Sequence, residues 1–376
     1  MPADRSRAKP LIVPVFIPHA GCPHRCAFCD QSAITHAKPV LPDAAAVADR
    51  VRTFRSAARP DRHPVQIAFY GGNFLGLPDE TIRSLLAAAQ DHVRRGAVHS
   101  IRFSTRPDTI DERRLDLISM FSVADVELGA QSMDDRVLAL SNRGHTAETT
   151  RRAAAMLKAR DFRVGIQIMV GLPGEDPGGA AAAGRAIADL RPDFVRIYPA
   201  VVLKGSGLAR RFREGRYMPL SLAEGVERTA ALRLLFEARG IPVIRTGLQA
   251  SADLAPGAAI EAGPYHPAFG HLVLSKIFLD MMMDASGELR VAGRGSGGEI
   301  RVNAHPRRVN ALRGMGNENL RALERRPGVR SVRAGSDPAL GLWDLTVSDR
   351  TVSDRIGRTI FRRAVESPGP ESSTGG

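Results

Sequence analysis

Six short apolar runs recur along the first two-thirds of the chain: 11–18 (LIVPVFIP), 65–71 (VQIAFYG), 100–105 (SIRFST), 125–130 (DVELGA), 164–170 (VGIQIMV) and 194–200 (FVRIYPA). Near-continuous runs of this length suit parallel strands covered by helices. Between them lie helical patterns at 43–58, 79–95, 110–120, 146–160 and 178–190, with starts marked by Pro42-Asp43, Pro78-Asp79 and Asp108. The alternation predicts an α/β fold, a partial or complete parallel (β/α)6 barrel. Such sheets place their sites at the carboxyl ends of the strands. A helix at 221–239, a strand at 241–246, an Ala/Gly/Pro-rich connection at 250–264 and a helix at 268–283 follow. The pattern then changes to a strand at 299–304, a helix at 308–325 and strands at 329–334 and 341–348, a small C-terminal α+β appendage. The expected organisation is a disordered 1–10, a barrel over 11–250, an extension over 251–350, and a helix and disordered tail over 351–376.

Composition narrows the class. With 43% hydrophobic and 25% charged residues in 376, the chain reads as an ordinary globular protein. No apolar run is long enough to span a bilayer. The polar start MPADRSRAKP leads into only eight mostly apolar residues, broken by two prolines, unlike a secretory signal. A cytoplasmic protein with no membrane partner is expected. Net charge is +13, and of 53 basic residues only 5 are lysine. Compositional drift accounts for Arg in place of Lys, but not for the excess of bases over acids. A polyanionic partner such as RNA and a solvated basic surface both remain open.

The three cysteines all fall in HAGCPHRCAFCDQ, directly after the first strand, with spacing Cys22-x3-Cys26-x2-Cys29. Three thiols in a chain without a signal peptide do not predict a disulfide framework. Thiolates suit iron–sulfur clusters. Three on one short loop hold three irons of a cubane and leave the fourth without a protein ligand. A zinc site completed by His24 or His19 is the alternative, although structural zinc sites usually join two distant ligand pairs.

Other candidate residues sit at the remaining strand ends. Gly71-Gly72-Asn73 ends the second strand, where glycines let the backbone approach a ligand or make a tight turn. Arg106, in Ser104-Thr105-Arg106-Pro107, suits a carboxylate, a phosphate or a rim salt bridge. Glu127 and Gln131 lie on the fourth strand. A charge there demands a partner, either a ligand in the pocket or a structural arginine. Arg143 and His145 stand at a helix entrance, and Thr146 reads as a cap. Lys204 follows the sixth strand, where its default is a surface residue. Tyr265 and His266, between prolines, are candidate substrate contacts or parts of a packed loop. His305-Pro306-Arg307-Arg308, with Arg313, makes a basic run.

Taken together, VFIPHAGCPHRCAFC, FYGGNF, STRPD, VELGAQSMDDRVL, NRGHT, IQIMVGLPGE, YPAVVLKGSGL and AGPYHPAFGHLVLS resemble the radical S-adenosylmethionine (SAM) domain of the Elongator catalytic subunit and its standalone bacterial relatives, over about residues 11–320. The resemblance implies a radical SAM barrel with a [4Fe-4S] cluster on Cys22, Cys26 and Cys29, and SAM on the open iron. Asn73 stands where the superfamily has the Glu of a Gly-Gly-Glu segment that contacts the SAM amino group. Gly71, Gly72, Asn73, Arg106, Glu127, Gln131, Arg143 and Lys204 are the expected cofactor-binding residues, and Lys204, Tyr265 and His266 the expected catalytic ones. An external one-electron donor and tRNA or another RNA are the expected partners. No acetyltransferase domain like that of the full-length Elongator subunit is expected after residue 350. Two rival expectations are a radical SAM enzyme acting on a small molecule, such as a porphyrin precursor, and a non-catalytic iron–sulfur RNA-binding protein.

Overall fold

The structure is a computed structural model that describes residues 10–17, 20–30, 40–58, 63–249, 259–291, 298–349 and 352–355. They divide into two compact units, 1–219 with 251–263, and 220–250 with 264–376. The division falls at 219/220, where the sequence pattern placed it at 250.

In the first unit, β1 (Leu11–Ile17), β2 (Val65–Gly71), β3 (Ser100–Thr105), β4 (Val123–Gln131), β5 (Arg163–Val170) and β6 (Phe194–Pro199) pair in sequential order. All five pairings are parallel. Among the described residues β1 pairs with β2 alone, so the (β/α)6 barrel is the partial form. The helices α1 (Ala44–Ser56), α2 (Asp79–Arg94), α3 (Glu112–Ser119), α4 (Asp135–Leu140), α5 (Ala147–Ala159) and α6 (Gly179–Asp189) alternate with the strands. Asp43, Asp111, Asp134 and Thr146 cap α1, α3, α4 and α5 by accepting from main-chain N–H groups. Asp108, expected to open a helix, instead sits in a single 3-10 turn over Pro107–Thr109, and α3 starts behind Asp111.

Alternation within the strands sorts the core. Val13, Val15, Ile17, Ile67, Phe69, Ile101, Phe103, Val126, Leu128, Ile166, Ile168 and Ile197 are buried. In α2, Ile82, Leu85, Leu86 and Ala89 form the buried stripe of an amphipathic helix. Each large apolar side chain enclosed this way contributes about 1.5–3 kcal/mol. The Phe69 and Phe103 rings stack on Phe74 with centroids 5.0 and 4.5 Å away. The alternate positions are polar: Gln66 and Tyr70 on β2, Arg102 on β3, Asp125 and Glu127 on β4, Arg196 on β6. The runs that looked continuous are therefore two-sided.

After β6 come β7 (Val202–Leu203), α7 (Gly207–Arg213) and β9 (Ile260–Ala262), which pairs antiparallel with β7. The second unit holds α8 (Leu222–Ala238), β8 (Val243–Thr246), α9 (Phe269–Val291) and a four-stranded sheet in the order β11-β10-β12-β13. Those strands are β10 (Gly298–Ala304), β11 (Val329–Ser336), β12 (Leu345–Asp349) and β13 (Val352–Arg355). The expected helix over 308–325 is two pieces, α10 (Val309–Arg313) and α11 (Glu318–Glu324). Positive φ angles at Gly314, Gly316 and Asn317 break it. Val273, Ile277, Phe278, Met282, Val302, Leu312, Leu323 and Val347 form one core here. Residues 352–355, expected to begin a C-terminal helix, form a strand on β12. The expected tail and most of the expected disordered N-terminus lie outside the described residues. No described helix is long and apolar enough to cross a membrane.

Candidate cofactor site at the strand ends

The cysteine loop is docked onto the carboxyl ends of β2 and β3. Asn73, 1% exposed, is the fastening. Its Nδ2 donates to the Gly21 carbonyl at 2.7 Å. Its Oδ1 accepts from Thr105 Oγ1 at 2.7 Å and Arg106 N at 2.9 Å, with Thr109 Oγ1 at 3.2 Å. Thr105 Oγ1 and Arg106 N take the two lone pairs of that oxygen, since the single Thr109 proton has a shorter bond to Arg106 O at 2.8 Å, so the side-chain carbonyl is already filled by the chain itself.

The glycines have the same explanation. Gly72 N donates to Ile17 O at 2.6 Å, and Asn73 N to Ala20 O at 2.9 Å. A Cβ on Gly72 would stand 2.4 Å from Ala20 O, and Gly71 takes φ +106°. Gly21, at φ +74°, would put a Cβ 2.2 Å from Asn73 O. The close approach that Gly71-Gly72 permits is thus the approach of the cysteine loop.

Further along, Ala27 N donates to Ser141 O at 3.0 Å, and Ala27 O accepts from Leu208 N at 2.7 Å. Ala27 packs among Val202, Leu208, Ala209 and Tyr217. The loop is thereby tied to α4 and α7, and its three thiols grade from exposed Cys22 through half-buried Cys29 to buried Cys26.

Two guanidiniums meet Cys26. Arg143 Nη1 lies 3.0 Å from its Sγ and Arg106 Nη1 3.9 Å. Arg143 also donates to the Gly129 carbonyl, and Arg106 to the Arg143 carbonyl. Asp108 orients Arg106 with bonds of 2.9 and 2.7 Å. Burial pushes the Cys29 thiol up to about 12, helped by Cys26 and Cys22, and Cys22, though exposed at the surface, is raised by partial desolvation in the loop and then by Cys26. Uncharged thiols crowded together become ligands when a cationic centre displaces their protons. The neighbouring guanidiniums favour the resulting thiolates.

Several buried polar atoms beside this loop have no hydrogen-bond partner among the described residues: Gln131 Oε1, Ser141 Oγ, Arg143 Nε and His145 Nε2. Gln131 ends β4 at φ +71°, a conformation rare outside glycine. Burial, then Arg143, pushes the His145 imidazole down to about 4. Its Nδ1 lies 3.3 Å from Thr146 O. Since a carbonyl only accepts, Nδ1 carries the proton and Nε2 presents a lone pair. Unsatisfied buried groups of this kind are where a ligand fits. Among the described residues, no three His, Cys, Asp or Glu side chains converge as one bound metal ion requires.

Glu127 belongs elsewhere. Arg102 Nη2 lies 2.6 Å from its Oε1, Arg196 Nε 2.8 Å from its Oε2, and Tyr70 OH 3.1 Å from Oε1. Gln66 extends the network to Arg102 at 3.2 Å and Asp125 at 2.6 Å. Of the two readings left open for Glu127, the structure shows the arginine pair. Lys204 is exposed and follows β7, and its N–H donates to Ala259 O at 2.8 Å. Next to it, Gly205 approaches Asp30 of the cysteine loop. Tyr265 and His266 belong to the second unit, where His266 Nδ1 accepts from Ala268 N at 3.0 Å. Sequence reasoning missed Gly21, Thr105 and Thr109, all of which serve the Asn73 fastening. Only the two threonines, four residues apart at a strand end, offered a signal.

Residues 16–182 match the radical SAM superfamily, and residues 192–278 match the radical SAM C-terminal domain. Together the two matches take in well over half of the chain, and it belongs to the radical SAM superfamily. Within that superfamily it is similar to Elp3-type proteins. It is 33% identical over 126 residues to the tRNA uridine(34) acetyltransferase of Methanocaldococcus jannaschii, covering 33% of this chain and 23% of that protein. It is 26% identical over 239 residues to Elongator complex protein 3 of Homo sapiens, covering 57% of this chain and 42% of that protein. The chain thus spans less than half the length of both. The archaeal Methanocaldococcus infernus Elp3 has the same fold, with a TM-score of 0.55 at 21% identity over 72% of this chain and 63% of that one.

Proposed function

We propose that this chain is a radical SAM enzyme that modifies RNA, with a [4Fe-4S] cluster on Cys22, Cys26 and Cys29. The observation that carries the reading is the three-thiol loop at the strand ends, with Arg143 Nη1 3.0 Å from Cys26 Sγ and, around it, buried polar atoms unpartnered among the described residues. When bound, the cluster and SAM supply one-electron cleavage of the sulfonium, giving a 5′-deoxyadenosyl radical that removes a hydrogen atom from substrate.

The chain's own residues hold and insulate. Cys22, Cys26 and Cys29 ligate. Arg143 and Arg106 donate toward Cys26 and offset its negative charge, which also shifts the cluster's potential upward. Asn73 keeps the loop seated. Gln131 Oε1 and His145 Nε2 accept from cofactor N–H or O–H groups, and Arg143 Nε donates. Lys204, beside the Gly205–Asp30 approach, stands where it meets cofactor or substrate. Tyr265 and His266 remain candidate substrate contacts. An RNA substrate is supported by the names of the Elp3-type relatives and by the net charge of +13.

Anaerobic reconstitution with iron and sulfide, then dithionite and SAM, tests the reading. A broad absorbance near 400 nm, about four irons per chain and released 5′-deoxyadenosine are expected, all lost in Cys26→Ala. A reduced, fully loaded cluster that releases none would refute the enzyme. Mass spectrometry of RNA from cells with and without the protein then tests the substrate class.

A further inference from the structure

Residues 298–333 hold nine arginines, no lysine and three glutamates, so a segment of 36 residues carries six of the thirteen net positive charges. All three glutamates are engaged. Glu299 pairs with Arg333 at 2.9 Å, Glu318 accepts from Met315 N at 3.2 Å, and Glu324 accepts from Val332 N at 3.0 Å. Four arginines are likewise committed. Arg308 lies over the Trp343 ring at 4.8 Å, Arg321 donates to Gly316 O, Arg326 donates to Met283 O, and Arg333 holds Glu299. Arg301, Arg307, Arg313, Arg325 and Arg330 are exposed and have no ionic or hydrogen-bonding side-chain partner among the described residues.

The sheet register shows how part of this charge is laid out. Val302 and Ala304 of β10 and Val332 of β11 face the core, so the alternate positions Arg301 and Arg333 share the open face. They stand directly opposite one another in the parallel pairing. Glu299, two positions before Arg301 on the same face, already answers Arg333 at 2.9 Å, which leaves Arg301 as the uncompensated charge of that face. Asn303 and Thr346 add neutral hydrogen-bonding groups, joined at 3.2 Å. Arg321 lies on α11, and Arg325 is the capping residue just past its end. Residues 298–333 contain no Phe, Tyr or Trp. Base recognition by stacking needs aromatic rings. Arginine without them matches phosphate oxygens, through bidentate donation.

We infer that the second unit binds the phosphate backbone of RNA through the unpaired arginines of residues 298–333. The inference rests on the RNA-modifying reading above and supplies its binding surface. Its chemistry is electrostatic and sequence-tolerant: affinity falls steeply with salt and depends little on base identity.

The test uses the full chain with its cluster reconstituted and an unmodified tRNA transcript as probe, followed by fluorescence anisotropy across a KCl series. In the variant R301Q/R307Q/R313Q/R325Q/R330Q, affinity falls about tenfold or more at fixed salt, and the slope of log K against log salt becomes shallower by about two or more. A matched variant of exposed first-unit arginines, R50Q/R83Q/R95Q/R152Q/R185Q, removes the same formal charge and keeps affinity within about twofold. Equal losses in the two variants overturn the inference, since net charge alone then accounts for binding. So does binding to phosphatidylserine vesicles with none to the transcript. The thermal midpoint and the release of 5′-deoxyadenosine without RNA are read in parallel. Intact release with unchanged RNA affinity in the first variant sinks this surface alone. Normal RNA binding with no release sinks the enzyme reading and leaves the surface standing.

Discussion

Arginine serves two opposite purposes in this chain. Inside the first unit, Arg102, Arg106 and Arg143 are buried and Arg196 is partly buried, and each is met by a carboxylate, a carbonyl or a thiol. Along residues 298–333, five arginines stand exposed with no such partner among the described residues. The difference is one of solvation. A guanidinium out of water costs several kcal/mol unless paired, so burial demands neighbours. A guanidinium in water demands nothing and stays available to an outside anion.

The contrast can be broken most sharply at Glu127, which Arg102 and Arg196 share. Glu127→Gln leaves one buried and one partly buried cation short of a counter-charge and lowers unfolding stability by about 3–5 kcal/mol. Urea denaturation measures it, and a loss under 1 kcal/mol would mean that water reaches the network.

His145 gives the next largest effect, through pH. Its folded imidazole stays neutral to about pH 4, held down first by burial and then by Arg143, with Arg106 acting in the same sense and Asp108 and the Thr146 carbonyl opposing. The unfolded side chain takes a proton near its ordinary value of about 6.5. Between those values the unfolded state binds more protons, so stability falls as pH drops through the window and levels off below it. The full loss is at most about 3 kcal/mol. Melting curves from pH 4 to 7 should show this slope in the wild type and a flatter one in His145→Asn.

Asn73→Ala strips a donor from Gly21 O and an acceptor from Thr105 and Arg106 N. A loss of about 2 kcal/mol is expected, together with poorer iron retention after gel filtration. Unchanged iron content would show that the loop is held by its other ties, at Ala27. At the far end of the scale, Arg325→Gln on the exposed surface should shift stability by less than about 0.5 kcal/mol. A larger loss by the same denaturation assay would reveal an intramolecular partner and weaken the RNA surface.

Much of the first unit was legible because period-2 and period-3.6 patterns report burial directly. The five inter-strand helices and six strands fell where the patterns placed them, within a few residues. Local signals failed where backbone conformation overrode composition. The apolar spacing over 308–325 runs on as for one helix, yet Gly314, Gly316 and Asn317 take positive φ and split it. The short α4 and α7 add too few turns to stand out from their surroundings.

The sequence alone determined the cysteine trio, because ligand spacing within eight residues is a property of the chain and needs no partner from afar. It also determined the number of βα units and the excess of arginine. Tertiary structure decided what each polar residue is for. Asn73 and Glu127 looked alike as candidates at strand ends, but one fastens the cysteine loop and the other pins two arginines. Their roles depend on atoms 25 to 69 residues away in the chain. No local pattern encodes such distances, because hydrogen bonds and ion pairs follow proximity in space, and only the folded sheet creates it.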